Sequence, residues 1–322
     1  MNQNDYRKTT YNEPFITQRA DPYVYRYVDG NYYFTASVPA YDEIVLRRSS
    51  TLDGLKEAEE VTVWKKHEKG IMSIHIWAPE LHYLDGRWYI YYAAGDVDDI
   101  WAIRPYVLEC LGQDPLYDEW VERGLLKSAD AYTFQDFSLD MTVFENKGKK
   151  YCVWAEKVSV GQKISNLYIA EMESPTSLKT QQVLLTSPDY DWERVDFWVN
   201  EGPAVLKHDG RLFLTYSASA TGACYCMGML SIAEDAELLD PRAWKKERYP
   251  VLQTSEEAGM FGPGHNSFVK AENGTDDIMI YHARTYDEII GDPLYDANRH
   301  AYRMKLAWDE NGYPVFDYQN ND

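Results

Sequence analysis

The sequence predicts an all-β chain built as a five-bladed β-propeller, and three observations carry that reading. A strand–turn–strand pattern recurs five times, with a glycine in its turn at Gly30, Gly86, Gly148, Gly210 and Gly274. Those glycines lie 56, 62, 62 and 64 residues apart, so five units account for the 322 residues. Aromatic residues make up 15% of the chain, and Tyr and Trp favour pleated, half-buried strands. Repeated antiparallel sheets with no helical layer to cover them bury their faces best by radial packing.

The units follow in order. The first reads YVYRYVDGNYYFTAS, the second ELHYLDGRWYIYYAAG, the third MTVFENKGKKYCVWAE and the fourth PAVLKHDGRLFLTYSAS. The fifth, SFVKAENGTDDIMIYHAR, is looser. Asp-Gly and Asn-Gly pairs supply the positive φ of tight hairpins. A hairpin every ~60 residues leaves room for two further strands per unit. The best helical candidates are short, around Val107 to Val121. No composition shift or Pro/Gly/Ser-rich linker divides the chain, so residues 1–322 read as one domain.

Fifty-two acidic against 32 basic residues give a net charge of −20, which opposes nucleic acid and anionic membranes as partners. No apolar run reaches the ~18 residues of a spanning helix. The N-terminal stretch MNQNDYRKTTYNEPF lacks a basic and apolar leader, which predicts a cytoplasmic protein. The sequon Asn273-Gly274-Thr275 carries no weight in that compartment. Cys110, Cys152, Cys224 and Cys226 are too few and too irregular for a disulfide framework. Cys224-x-Cys226 lacks the second pair of a zinc site and reads as strand with alternating faces.

The first strand of each blade lines a propeller's channel, so residues at one offset before each glycine share a height near the axis. Nine before Gly30 is Asp21, nine before Gly86 is Trp77, and eight before Gly148 is Asp140. Nine before Gly210 is Glu201, and nine before Gly274 is His265. Pro22, Pro79 and Pro203 hold the preceding residues extended, and Gly202, Gly262 and Gly264 permit close approach. The plain alternative is that such residues cap strand starts or hold a structural ion. Three carboxylates clustered in a channel mouth cost desolvation and repulsion, which points instead to chemistry. Glycosidic cleavage needs a carboxylic acid to protonate the leaving oxygen and an opposed carboxylate. When the second activates water, the two stand roughly 6.5–9.5 Å apart and the anomeric centre inverts. A third carboxylate close to the acid raises its pKa.

These motifs, in this order, resemble glycoside hydrolase family 43. The resemblance is carried by Asp21 in ADPYVYRYVDGNYYF, WAPE at Trp77 to Glu80, Asp140 in SLDMTVF, Glu201 in NEGPAV and His265 in GPGHNSF. It extends from about residue 12 to AWDENGYPVF. It implies a five-bladed propeller and an inverting mechanism, with Asp21 as general base, Glu201 as general acid and Asp140 tuning and orienting that acid. It also implies a calcium or sodium ion near His265, held through water, and an arginine on the sugar. Arg299 fits that place and Arg284 is the alternate. Trp77 would form a stacking wall, with Phe34 and Trp154 as further contributors unless they pack the blades.

The wording from FTASVPAYDEIVLRRS to MSIHIWAPELH resembles the family's single-domain, exo-acting α-L-arabinofuranosidases. The expected substrates are arabinose-containing oligosaccharides from arabinan or arabinoxylan. A β-xylosidase is the runner-up, followed by an endo-α-1,5-arabinanase or a non-catalytic sugar-binding propeller. The oligomeric state is not readable from the sequence.

Other motifs fail on inspection. Gly262-Pro263-Gly264 has Ser267 where a dinucleotide loop needs its third glycine. Asp189-x-Asp191-x-Glu193 starts like a calcium loop but continues with Arg194 and lacks the closing Glu. There is no HExxH or Gly-x-Ser-x-Gly.

Overall fold

A computed structural model describes residues 13–158 and 164–320. The chain is all-β; among the described residues the only helices are 3₁₀ turns of three or four residues. Strands β1 (Ala20–Arg26), β2 (Tyr32–Ser37), β3 (Glu43–Ser49) and β4 (Val61–Lys65) form one meander. The next comprises β5 (Ile71–Leu84), β6 (Arg87–Asp96), β7 (Asp99–Cys110) and β8 (Trp120–Leu125). A third group has β9 (Ser138–Asn146), β10 (Lys149–Val158) and β11 (Ile164–Ser174), with short β12 (Ser177–Leu178) and β13 (Val183–Thr186) pairing to β11. The fourth holds β14 (Trp198–His208), β15 (Arg211–Ala218), β16 (Cys226–Ala233) and β17 (Lys245–Lys246). The fifth holds β18 (Phe261–Lys270), β19 (Asp277–Arg284) and β20 (His300–Lys305), followed by the small pair β21 (Ala307–Trp308) and β22 (Pro314–Val315).

All five expected hairpins form. In three of them both turn residues take positive φ: Asp85-Gly86, Lys147-Gly148 and Asp209-Gly210. That geometry matches the right-handed twist of the flanking strands. The short helix expected around Val107 to Val121 is instead the end of β7, a loop and the start of β8. Val107 and Leu108 pair with β6 on one side and β8 on the other, so an apolar run buried on both faces had mimicked a helix. The third and fourth groups are joined by a brief parallel contact, Ile164 to Trp198 and Ser165 to Val199.

The first strands of the groups pack in a ring: β1 against β5, β5 against β9, β9 against β14, β14 against β18, and β18 back against β1. Apolar clusters fill the spaces between successive groups. Ile44 and Leu46 meet Ile76, Leu81 and Trp88, while Leu84 and Tyr91 meet Met141 and Trp154. At the closing seam Val24, Tyr32 and Phe34 meet Val269, Ile278 and Ile280. The N-terminal segment adds to that seam, because Phe15 and Ile16 exchange backbone hydrogen bonds with Ala301 of β20. Much of the aromatic surplus is spent in these layers. Tyr25, Tyr27, Tyr33 and Tyr83 surround Trp88 with ring centroids 4.7–5.6 Å away. Of these, Tyr33 and Trp88 are buried, and a buried side chain of this size contributes roughly 1.5–3 kcal/mol.

Candidate active site

Every first strand of the ring breaks register at an equivalent bulge near its start, and β5 and β18 carry further breaks upstream of it. The residue in that bulge has positive φ in each case: Asp21, Ala78, Asp140, Gly202 and His265, between 43° and 58°. A bulge bends its strand and re-aims its side chain, and Asp and Gly tolerate this backbone best. The structure therefore corrects the equivalence expected from the sequence. Asp21, Asp140 and His265 share one position, whereas Trp77 and Glu201 each sit one residue earlier, beside Ala78 and Gly202.

The bulge N–H groups tie consecutive groups together. Ser37 Oγ accepts the Ala78 N–H at 2.8 Å, and Asp140 Oδ2 accepts that of Gly202 at 2.9 Å. Ser217 Oγ accepts from His265 at 2.7 Å, and His282 Nδ1 accepts from Asp21 at 3.0 Å. Ser37, Ser217 and His282 are second-strand residues opposite the bulge start, where the second and third groups carry Ala93 and Ala155. Ala155 offers no acceptor, so Asp140 itself takes the Gly202 N–H. These second-strand residues were missed in the sequence, although they recur seven or eight residues after each hairpin glycine.

His265 stands between the carboxylates, its Nδ1 3.2 Å from Asp21 Oδ1 and 3.8 Å from Asp140 Oδ2. Asp21 Oδ2 also accepts the Ser37 hydroxyl at 2.6 Å. Burial alone would raise the Asp21 pKa, but the His265 and Arg299 charges outweigh it and hold the carboxyl well below the usual range. Burial and repulsion by neighbouring carboxylates push Asp140 up to about 8. Burial also raises Glu201, against the hydrogen bond that Tyr225 donates to its Oε1 at 2.9 Å. The cluster thus holds one firmly ionised carboxylate, Asp21, and a neighbouring pair, Asp140 and Glu201, that retains a proton near neutral pH. His265 is buried, yet the three carboxylates pull it toward the protonated form.

Arg299 joins this cluster, with Nη1 3.5 Å from Asp21 Oδ1 and Nη2 donating to Tyr41 Oη at 2.6 Å. Its Nε and the Trp77 Nε1 are buried donors without a partner among the described residues. Arg284 is occupied elsewhere: its fork donates to the carbonyls of Thr221 and Pro293, both at 2.8 Å. Trp77 stacks on His75 with centroids 4.4 Å apart and meets Tyr41 edge-on, with half-exposed Trp101 beyond it. Phe34 is placed elsewhere, fully buried against Phe15 in the closing seam. Trp154 is likewise fully buried, packed on Phe134 and Tyr168 while its Nε1 donates to Glu156. Both pack between strand groups because their strands turn those faces inward to neighbouring sheets.

The surroundings of His265 do not form a direct metal-ligand set. Among the described residues no three His, Cys, Asp or Glu side chains are placed to hold an ion. The Arg299 guanidinium stands beside Asp21, and the pull of the carboxylates on His265 toward its protonated form makes the place less favourable to a cation, so no step is routed through one. Glu193, which had suggested the start of a calcium loop, is fully buried as a structural hub. It accepts from the Asp189 and Tyr190 backbones, Asn200, Tyr216 and Lys246.

An all-β ring carrying clustered buried carboxylates in unequal electrostatic surroundings, beside an arginine and a tryptophan, is the framework of a glycoside hydrolase. The chain belongs to family 43 of the glycosyl hydrolases, whose family model matches residues 11–314. It is 48% identical over 307 residues to an extracellular exo-α-(1→5)-L-arabinofuranosidase of Streptomyces avermitilis, covering 95% of this chain and 63% of that protein. An enzyme of the same name from Streptomyces chartreusis is 47% identical, covering 89% of this chain and 86% of its own. The crystal structure of an α-L-arabinofuranosidase from Lactobacillus brevis superposes with a TM-score of 0.90 at 52% identity, covering 96% and 97% of the two chains. The chain thus spans 63% of the length of the Streptomyces avermitilis relative. Both Streptomyces relatives are named extracellular, which overturns the cytoplasmic expectation. That expectation rested on the opening residues, of which 1–12 lie outside the described residues.

Proposed function

We propose that this chain is an inverting exo-α-L-arabinofuranosidase that releases terminal arabinofuranosyl units from arabinan- or arabinoxylan-derived oligosaccharides. The proposal includes a single five-bladed propeller domain, supported by the ring of five first strands. One observation carries the chemistry: Asp21 is held ionised while the Asp140–Glu201 pair keeps a proton. Asp21 takes a proton from water as its oxygen attacks the anomeric carbon. Glu201 gives its proton to the glycosidic oxygen as that bond breaks, yielding free arabinose of inverted configuration and a shortened oligosaccharide. Asp140 keeps Glu201 in place through Gly202, and burial favours the protonated form of Glu201. The unpartnered donors of Trp77 and Arg299 suit sugar hydroxyls.

Exo action is supported by the loop between β19 and β20. Tyr295 Oη lies 3.1 Å from His75 Nε2 of the second group, and Leu294 O accepts the Tyr41 hydroxyl at 2.5 Å. The last group is thereby laid across the first to the second, walling one side of the mouth. The test compares p-nitrophenyl α-L-arabinofuranoside with p-nitrophenyl β-D-xylopyranoside, with Glu201→Ala as blank. Arabinofuranoside preference is expected, and xyloside preference would replace the reading by a β-xylosidase. On linear arabinan, arabinose should be the first product; early longer oligosaccharides would mark an endo enzyme.

A further inference from the structure

We propose that Tyr225 is the positioning residue of the proton donor, and that the Gly262-Pro263-Gly264 motif exists to seat it. The inference rests on Glu201 being the acid. A carboxylic acid has two oxygens, and only the one bearing the proton and facing the glycosidic oxygen can act. The Tyr225 hydroxyl donates to Oε1 at 2.9 Å, so Oε1 serves as acceptor and the proton is left to Oε2. Without that donor the proton can sit on either oxygen, and the side chain can turn.

Three further observations place Tyr225 there by construction. A Cβ on Gly264 would stand 2.3 Å from Tyr225 Cε1 and 2.8 Å from Ser217 Oγ, inside any real contact. One on Gly262, at φ +59°, would stand 2.4 Å from the Gly222 carbonyl in the loop that leads to Tyr225. The Tyr225 ring also lies parallel to His282, the strand partner of Gly264, with 9° between planes and centroids 5.6 Å apart. His282 in turn accepts the Asp21 N–H. A buried ring is therefore packed against glycine backbone and the neighbouring imidazole, with its hydroxyl on the acid and its stacking partner hydrogen-bonded to the strand of the base. A tyrosine needed only for packing would not require its hydroxyl to meet a carboxylate.

The test measures Tyr225→Phe, Glu201→Gln and the wild type on aryl glycosides of good and poor leaving groups, across pH. Tyr225→Phe keeps the ring and should lose about tenfold in kcat on poor leaving groups, the scale of one hydrogen bond to a charged group, while good ones are spared. Its basic limb should move to higher pH, because a donor that favours the carboxylate form is gone. Equal loss on both substrate types, or an unmoved limb, overturns the proposal. If Glu201→Gln itself shows no leaving-group dependence, the acid assignment falls and this inference with it. If Glu201→Gln shows it and Tyr225→Phe does not, only the inference falls. A second variant keeps the test open should packing intervene. Gly264→Ala should reproduce the Tyr225→Phe pattern, yet cost much less when added to Tyr225→Ala, where the ring it strikes is absent and only the Ser217 Oγ contact remains. Undiminished loss in that background would mean the glycine serves something else.

Discussion

The backbone N–H of Gly202 donates to Asp140 Oδ2 at 2.9 Å, so the residue immediately after Glu201 is tethered to the neighbouring carboxylate. Two functions of Asp140 follow from that bond, holding the backbone of the acid and placing a second carboxyl beside it. They can be separated. Asp140→Asn keeps an acceptor for Gly202 and removes the charge, whereas Asp140→Ala removes both. The Glu201 charge raises the Asp140 pKa, and since such repulsion is mutual, Asp140→Asn should lower the Glu201 pKa and move the basic limb of kcat/KM to lower pH. Asp140→Ala should cost a further factor of about ten in kcat through lost positioning. A pH profile with an unmoved limb would remove Asp140 from the tuning role.

Asp21 should behave as a base that is hard to protonate. With its carboxyl well below the usual range, the acid limb should lie below the ordinary Asp value of 3.8. Asp21→Asn should lose at least ~10² in kcat, the scale of general base catalysis. Turnover like that of the wild type would refute the assignment.

His282 predicts acid sensitivity of the fold. Burial holds its pKa at about 3 against an ordinary 6.5, so the unfolded chain binds a proton that the native state refuses. Its share of stability is full above about 6.5 and is lost as pH falls toward 3. His75 and His300 are also held low by burial and act in the same direction, while the raised His265 acts oppositely. His282→Asn retains an acceptor that does not titrate. The fall in melting temperature between pH 7 and pH 4 should be smaller in this variant, and an unchanged fall would remove His282 as a cause.

The two arginines should separate cleanly. Arg299→Lys breaks a fork shared by Asp21 and Tyr41, and should cost tenfold or more in kcat/KM, since a lysine cannot reproduce two directed bonds. Arg284→Lys loosens Thr221 and Pro293, and should lower the melting temperature with a smaller effect on turnover. The reverse ranking would exchange their roles.

Chelation should leave activity unchanged, because the described residues near His265 offer no direct ligand set and the Arg299 guanidinium opposes an ion. A tenfold loss in EDTA, restored by calcium, would establish a water-held ion instead.

Sequence alone determined what depends on local chemistry. Turn residues and period-two hydrophobic patterning gave five hairpins, and the repeat spacing located Asp21, Asp140, Glu201 and His265 near one end of the first strands. Tertiary structure decided what depends on pairing across sixty or more residues. Glu201 sits one residue before the bulge position that Asp21 occupies, because the hairpin turns of the first and fourth groups differ in length, and no single-strand pattern records where pairing begins. Arg284 and Arg299 look interchangeable in the chain, yet only one reaches Asp21. Phe34 and Trp154 were candidates for sugar contact, but their faces are taken by neighbouring sheets. Tyr225 and His282 carried no motif of their own, since their importance lies in what stands opposite them. The division of protons is the clearest case. Three carboxyl groups of similar intrinsic acidity differ here only because burial and the His265 and Arg299 charges act on them unequally, and those distances exist only once the ring has closed.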